Sequence, residues 1–384
     1  TSNLQMASKS PSAGVGATDI WALVQKLQQE DRKKRGSELA EPNIAVLGGH
    51  GAGKTTIIQT LMFREGGAGK SGGSSAPQPT TSLDYKYLRQ GSTSNAKVSH
   101  IWELGGGRDL AKLLDIAVNA ETVPKSGIII VVDLSKPCEM IDDLNFWLRA
   151  ATRRVREILD KVAQKKPRVP KMLMERAQAR LGEKHQDALA LQKRICSIPL
   201  LIVANKFDKF KNVGVEKLRV AARTLRAIAH CNGAGLVYVD KSVSGTRQAL
   251  LAHLAKLQRI QRGEEEKESK RLRKKDAVPM NIKDLEAVSI SMGEDSLKEI
   301  GTPSNLPRYN AKTLLDDWLS TYRETFPKSP SKSAAEMKAE DSNNVELDPE
   351  AAVDTMLTQK NVQVKQMQRG NALARKMAAA GGKT

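Results

Sequence analysis

The run Gly48-Gly49-His50-Gly51-Ala52-Gly53-Lys54-Thr55-Thr56 has the spacing of a phosphate-binding loop: a glycine, four residues, then Gly-Lys-Thr. In such a loop the glycines let successive backbone N–H groups turn inward around an anion. The lysine neutralises the outer phosphates and the threonine hydroxyl holds Mg²⁺. A second run, Asn205-Lys206-Phe207-Asp208, has the N-K-x-D pattern with which a phosphate-loop protein reads guanine. A carboxylate there accepts from the ring N–H and the exocyclic amine, a pair of donors adenine lacks. Ser242 completes the candidate contacts. Together these residues predict a guanine nucleotide, GDP or GTP, with Mg²⁺. ATP is the weaker expectation, and an empty site stays open.

The chemistry of hydrolysis is less well provided for. A GTPase follows its third strand with D-x-x-G and then a glutamine that orients the attacking water. The matching stretch here is Glu103-Leu104-Gly105-Gly106-Gly107. Glu103 can still reach Mg²⁺ through water, but Gly107 has no side chain to position anything. A second metal contact has to come from the loop between Gly66 and Ser82, where Thr80 and Thr81 are the candidates and Thr81 is preferred beside Thr55. Nucleotide binding with weak or absent turnover is the favoured reading. A GTP-hydrolysing switch remains the alternative.

Both motifs need strands and helices at set places, and the hydrophobic pattern supplies them. NIAVLG (43–48) is a short apolar run ending at the loop, and a helical pattern opens at Lys54, aiming its N-terminus at the anion. LDYKYL and KVSHIWEL read as two strands. GIIIVVDL, IPLLIVANK and GLVYVD are continuous apolar strands, and helical patterns fall at Asp109 to Ala120, Met140 to Lys165, Val215 to His230 and Thr246 to Gln261. Unbroken apolar strands alternating with amphipathic helices predict a mainly parallel sheet covered on both faces. The fold class is therefore α/β, a phosphate-loop NTPase of the Ras-like G domain kind. It is expected over 41–261, with a basic helical insert at 149–194 that carries 14 Lys/Arg against 5 Asp/Glu.

Around that domain, 1–18 reads as disordered, with Thr1 to Gln5 ahead of Met6 set aside. Residues 19–40 form an expected helical extension with Ile20, Leu23, Val24 and Leu27 on one face. Residues 262–329 read as a weakly structured extension with short apolar clusters (Val288, Ile290; Leu314, Leu315, Trp318), and 330–384 as a disordered tail.

Composition narrows the partners. Lys and Arg number 62 against 43 Asp and Glu, a net charge of +19, which favours acidic partners without choosing among them. The basic insert lacks interleaved aromatics, so RNA binding is not expected. Cys138, Cys196 and Cys231 have neither metal-like nor disulfide-like spacing, which fits a reducing, intracellular compartment. The histidines His50, His100, His185, His230 and His253 share no ligand spacing. No apolar run reaches the roughly 18 residues a membrane span needs.

Four stretches taken together resemble the dynein light intermediate chain family. They are NIAVLGGHGAGKTT, the run from IIIVVDLSKPCEM to REILDK with Trp147, PLLIVANKFDKF, and KKDAVPMNIKDLEAVSI beyond the last helix. The resemblance covers about Ala40 to Trp318. It implies a Ras-like domain used as a non-catalytic subunit of the cytoplasmic dynein motor, bound to the heavy chain tail through the domain and its extensions. It also implies cargo adaptor recruitment by a C-terminal amphipathic helix with paired phenylalanines, and no such pair follows Pro330. Microtubule-associated, cytoplasmic placement goes with it.

Overall fold

In a computed structural model, residues 41–62, 79–90, 97–182, 185–191, 194–263, 278–303 and 313–327 are described. The expected N-terminal helix at 19–40, the segments 1–18 and 330–384, and residues 66–78 of the long loop lie outside them.

Seven strands form one sheet in the order β2-β3-β1-β4-β5-β6-β7. They are β1 (Asn43–Gly48), β2 (Leu83–Gln90), β3 (Lys97–Leu104), β4 (Ser126–Asp133), β5 (Leu200–Asn205), β6 (Ala234–Tyr238) and β7 (Ser289–Ile290). The run β3-β1-β4-β5-β6 is parallel, and the edge strands β2 and β7 pair antiparallel. The central strands are aliphatic throughout because both faces are covered. On β4, Ile128, Ile130 and Val132 face one cluster while Ile129 and Val131 face the other.

The helices are α1 (Lys54–Met62), α2 (Leu114–Ala117), α3 (Pro137–Lys165), α4 (Arg168–Leu181), α5 (Ala188–Leu191), α6 (Phe207–Phe210), α7 (Val215–Cys231), α8 (Ser244–Arg262), α9 (Leu297–Ile300) and α10 (Leu314–Thr325). The apolar stripes of α3 and α7 cover one sheet face, while those of α1 and α8 cover the other. None of the described helices is long and apolar enough to cross a membrane.

The segment after α8 belongs to the core rather than beside it. β7 extends the sheet, with Val288 and Ile290 buried, and α10 lays Leu314, Trp318, Tyr322 and Phe326 against α7 and its neighbours. Arg226 of α7 fastens it by a bidentate ion pair to Asp295, at 3.0 Å and 2.8 Å, both side chains buried.

His253 on α8, fully buried, faces β7, its Nε2 3.1 Å from Ser289 Oγ. Burial, helped by Lys256, pushes its pKa down to about 3. The unfolded chain therefore takes up this proton more readily than the folded one, and the stability it contributes is lost as pH falls from about 6.5 towards 3. By pH 4.5 the loss from this group is on the order of 3 kcal/mol. Urea unfolding at pH 7 and pH 4.5 should show His253→Gln losing clearly less stability over that interval than the parent. Parallel losses would mean that His253 is not a source of acid sensitivity.

Candidate functional site

The carboxyl ends of β1, β4 and β5 lie side by side, with Asp133 in register with Asn205 and Gly48 with Val131. β1 has β3 on one side and β4 on the other, so its end is where connections leave in opposite directions and a crevice opens. The phosphate loop fills that position, between β1 and the N-terminus of α1.

Lys54 is buried, and its Nζ donates to the carbonyls of Gly48 (3.0 Å) and Gly49 (2.9 Å). Burial lowers its pKa against the opposing pull of Glu103 and Asp143. An ammonium group so placed gains from an incoming anion, because phosphate oxygens replace the water it lost. Gly53 has φ of +93°, and a Cβ there would fall 2.3 Å from Asn205 Nδ2. That close approach lets Asn205 Nδ2 donate to Ala52 O at 2.9 Å, tying the N-K-x-D motif to the glycine-rich loop.

Lys206 is the described non-glycine residue with positive φ, +65°. Its Nζ donates to Gly51 O (2.8 Å) and Asp133 Oδ2 (2.5 Å), so it bridges the loop, β4 and β5. Burial alone would raise the pKa of Asp133, but Lys206 and Ser135 outweigh it and hold the carboxyl below its usual range. Asp208 starts α6, half-buried and with no side-chain partner among the described residues, so its carboxylate is available to a ligand. Ser242 is turned onto Asp240, donating both its N–H (2.7 Å) and its hydroxyl (2.5 Å) to Oδ1. Behind α6, Phe210 meets Phe326 with ring centroids 6.2 Å apart, and Tyr322 donates to Pro137 O (2.7 Å) at the start of α3. The C-terminal segment thus buttresses the N-K-x-D turn, a connection 116 residues long that no local pattern announces.

At the end of β3 nearest the loop, Thr55 donates its hydroxyl to Glu103 Oε1 at 2.5 Å. Glu103 is buried, and its Oε2 has no hydrogen-bond partner, with Lys86 Nζ 3.8 Å away. A buried carboxylate oxygen without a donor, beside a hydroxyl with free lone pairs, is a donor set suited to Mg²⁺. Gly105 N–H donates to Ser82 O (2.6 Å), and a Cβ on Gly105 would fall 2.1 Å from Thr80 O. This draws the strand-entry segment over the site. Thr80 lines the resulting cavity of about 150 Å³ with His50, Gly51, Lys54, Thr55 and Glu103, while Thr81 is exposed and does not line it. Gly107 has φ of +65° and lies by His50 with no side chain facing the cavity. The sequence-predicted residues Gly48 to Thr56, Asn205 and Lys206 are thereby brought to one crevice, with Asp208 two residues further along in α6. Asp133, not predicted, joins them as the partner of Lys206.

Two of the five histidines also meet, away from this site. His230 Nε2 is 3.0 Å from Asp187 Oδ2, an oxygen that also accepts from Leu297 N–H (2.9 Å). Asp187 N–H donates to His185 Nδ1 (3.1 Å), leaving His185 Nε2 to donate to Asp295 O (2.9 Å). These atoms lie within metal-ligand reach of one another. Hydrogen bonds already engage the carboxylate oxygen, both nitrogens of His185 and Nε2 of His230. The cluster is a clasp holding the 278–303 segment to α7 and to the turn after α4.

A family model described as "Dynein light intermediate chain (DLIC)" matches residues 17–209. The chain is similar to cytoplasmic dynein 2 light intermediate chain 1 of Bos taurus, 27% identical over 91% of this chain and 94% of that one. The human protein of the same name is 27% identical over 88% and 90%. Human cytoplasmic dynein 1 light intermediate chain 1 is 26% identical, over 38% of this chain and 25% of its own length. In fold the chain is similar to a crystal structure of the dynein light intermediate chain's conserved domain, with a TM-score of 0.52, 17% identity and coverage of 77% of this chain and 100% of that one.

Proposed function

The chain belongs to the dynein light intermediate chain family, and from that premise we propose that it serves cytoplasmic dynein as a scaffold that performs no catalysis. The observation that carries the reading is the family match across the phosphate loop, β4, the long helix α3 and the base-reading motif. Gly107 supports it, since no side chain there orients an attacking water. The domain holds the heavy chain tail, and the chain's C-terminal part links the motor to cargo adaptors. Its place is on microtubules in the cytoplasm. Similarity to the dynein 2 relatives runs over nearly their whole length, whereas the dynein 1 match stops at a quarter, which favours assembly into a dynein of the second class. Co-expression of the full chain with heavy chain tails of both classes tests this. A stoichiometric complex with the class 2 tail is expected, and failure to bind either tail would overturn the scaffold reading.

The crevice is read as a guanine nucleotide site. The loop N–H groups and Lys54 would take the phosphates, Asn205, Lys206 and Asp208 the base, and Ser242 the base edge. Thr55, with Glu103 through water, would hold Mg²⁺, which would neutralise phosphate charge. Denaturing the purified protein and separating any released nucleotide by ion-pair chromatography should yield guanine nucleotide, chiefly GDP. An empty protein that also fails to bind added GTP would reduce the loop to a structural turn and leave the scaffold reading standing alone. A hydrolysing switch is the second reading, favoured by the free carboxylate of Asp208 beside an intact loop. It requires turnover that Lys54→Ala abolishes.

A further inference from the structure

We propose that the outer face of α3, continued by the start of α4, is a docking surface for an acidic polypeptide segment. Between residues 149 and 171 the chain places nine Lys/Arg against Glu157 and Asp160. Arg149, Arg153 and Arg156 recur at helical spacing on the side of α3 opposite its buried stripe of Leu144, Leu148, Ala151, Val155 and Ile158. Arg153 has only a loose pair with Glu157 at 3.8 Å. Arg149, Arg156, Lys161, Lys165, Lys166 and Arg168 are exposed and have no ion pair among the described residues.

Glu157 and Asp160 answer part of this charge at the i,i+4 spacing from Arg153, Arg156 and Lys161, but the rest of the arrangement works against the helix. Arg149 with Arg153, and Lys161 with Lys165, are like charges at the i,i+4 spacing that destabilises a helix. Arg168 and Lys171 stand in the first turn of α4, at the positive end of its dipole, and that turn has no acidic residue. A face that only needed water would mix its signs more evenly, whereas here Glu157 and Asp160 are the two exposed carboxylates among eight exposed Lys/Arg between 149 and 171. Residues that weaken the fold this way mark a surface kept for a ligand of opposite charge.

The chemistry of the face selects the ligand. Met174 is the exposed large hydrophobic residue on α3 and α4, and the half-buried ring of Phe146 is covered by the Arg108 guanidinium at 5.2 Å, so the surface offers no free aromatic ring to stack a base and no broad apolar wedge to enter a bilayer. Arginine forks fit carboxylates in pairs. From Arg149 to Lys165 the helix rises about 24 Å, the reach of about seven residues of extended chain.

The test uses the full chain and a fluorescein-labelled peptide of about twenty glutamates, followed by anisotropy at about 150 mM salt, where general attraction is screened. Saturable binding is expected. Arg149→Glu, Arg153→Glu and Arg156→Glu together should weaken it by at least about tenfold. Lys112→Glu, Lys217→Glu and Arg247→Glu together, the same charge change elsewhere, should weaken it less than about threefold. The milder triple change to alanine should fall between parent and reversal. Equal losses in both charge-reversed proteins, or no binding by the parent, would overturn the proposal. So would tighter binding, lost in the same triple variant, to a uridine oligonucleotide of similar length or to vesicles containing phosphatidylserine.

Discussion

Asp295→Ala should lower the stability of the protein by about 3 kcal/mol, because it strips the buried guanidinium of Arg226 of its two hydrogen-bonded carboxylate contacts and leaves it only the looser charge of Asp284. Both side chains are nearly inaccessible, at 4% and 5% exposure, and two parallel hydrogen bonds join them. Burial alone would lower the pKa of Arg226, but Asp295 and Asp284 reverse this and hold it above its usual value, so the group stays charged. The one remaining close partner is Ile282 O at 3.3 Å; Asp284 Oδ1 lies 3.6 Å away. Replacing both members, Arg226→Met with Asp295→Leu, should recover most of the loss, since an apolar pair needs no desolvation of charge. Denaturant midpoints of the single and double variants measure the difference. A loss under about 1 kcal/mol for Asp295→Ala would mean water reaches Arg226 and the pair is not the fastening it resembles.

That pair also shows where reading the chain as a sequence stops. The parallel strands were legible because each must be aliphatic on both faces, and GIIIVVDL and IPLLIVANK admit little else. β7 was not, since two residues, Ser289–Ile290, cannot display an alternation. Its position follows from Arg226 and Asp295, 69 residues apart, and from the packing of Trp318 beneath α7, so 262–329 read as a loose extension around real apolar clusters. The helix expected from Asp109 to Ala120 shrinks to a 3₁₀ turn and four residues of α2. Its apolar spacing is genuine, with Leu114, Ala117 and Val118 buried, but Asn119 Oδ1 captures the N–H groups of Glu121 and Thr122 and ends it. α3 in turn begins three residues before the expected Met140, at Pro137, which suits a first helical turn. At the crevice, glycine spacing and N-K-x-D identified most of the residues that converge. Asp133 is not legible in the same way, because its role depends on register with Asn205, which no spacing within β4 encodes.

Lys54→Met should weaken guanine nucleotide binding by about a hundredfold or more while leaving the nucleotide-free protein as stable as before, or slightly more so. The two effects have separate causes. With phosphate present, Lys54 supplies charge-assisted hydrogen bonds worth about 1.5–3 kcal/mol each, and methionine supplies none. Without it, the same ammonium is a buried cation held only by the carbonyls of Gly48 and Gly49, and burial lowers its pKa. Methionine keeps the apolar stem that packs in the loop and removes the desolvated charge. Nucleotide should therefore raise the melting temperature of the parent and not of the variant, by the mass-action term that any native-state ligand adds. If the crevice is only a structural ornament of a scaffold, the variant still assembles with the heavy chain tail as the parent does. Assembly lost together with nucleotide would show that the bound nucleotide holds the partner surface in shape. The base-reading turn, through Phe210 and Phe326, and the start of α3, through Tyr322, supply the contacts by which it would do so. Equal nucleotide affinity in parent and variant would remove the phosphate loop from any binding role.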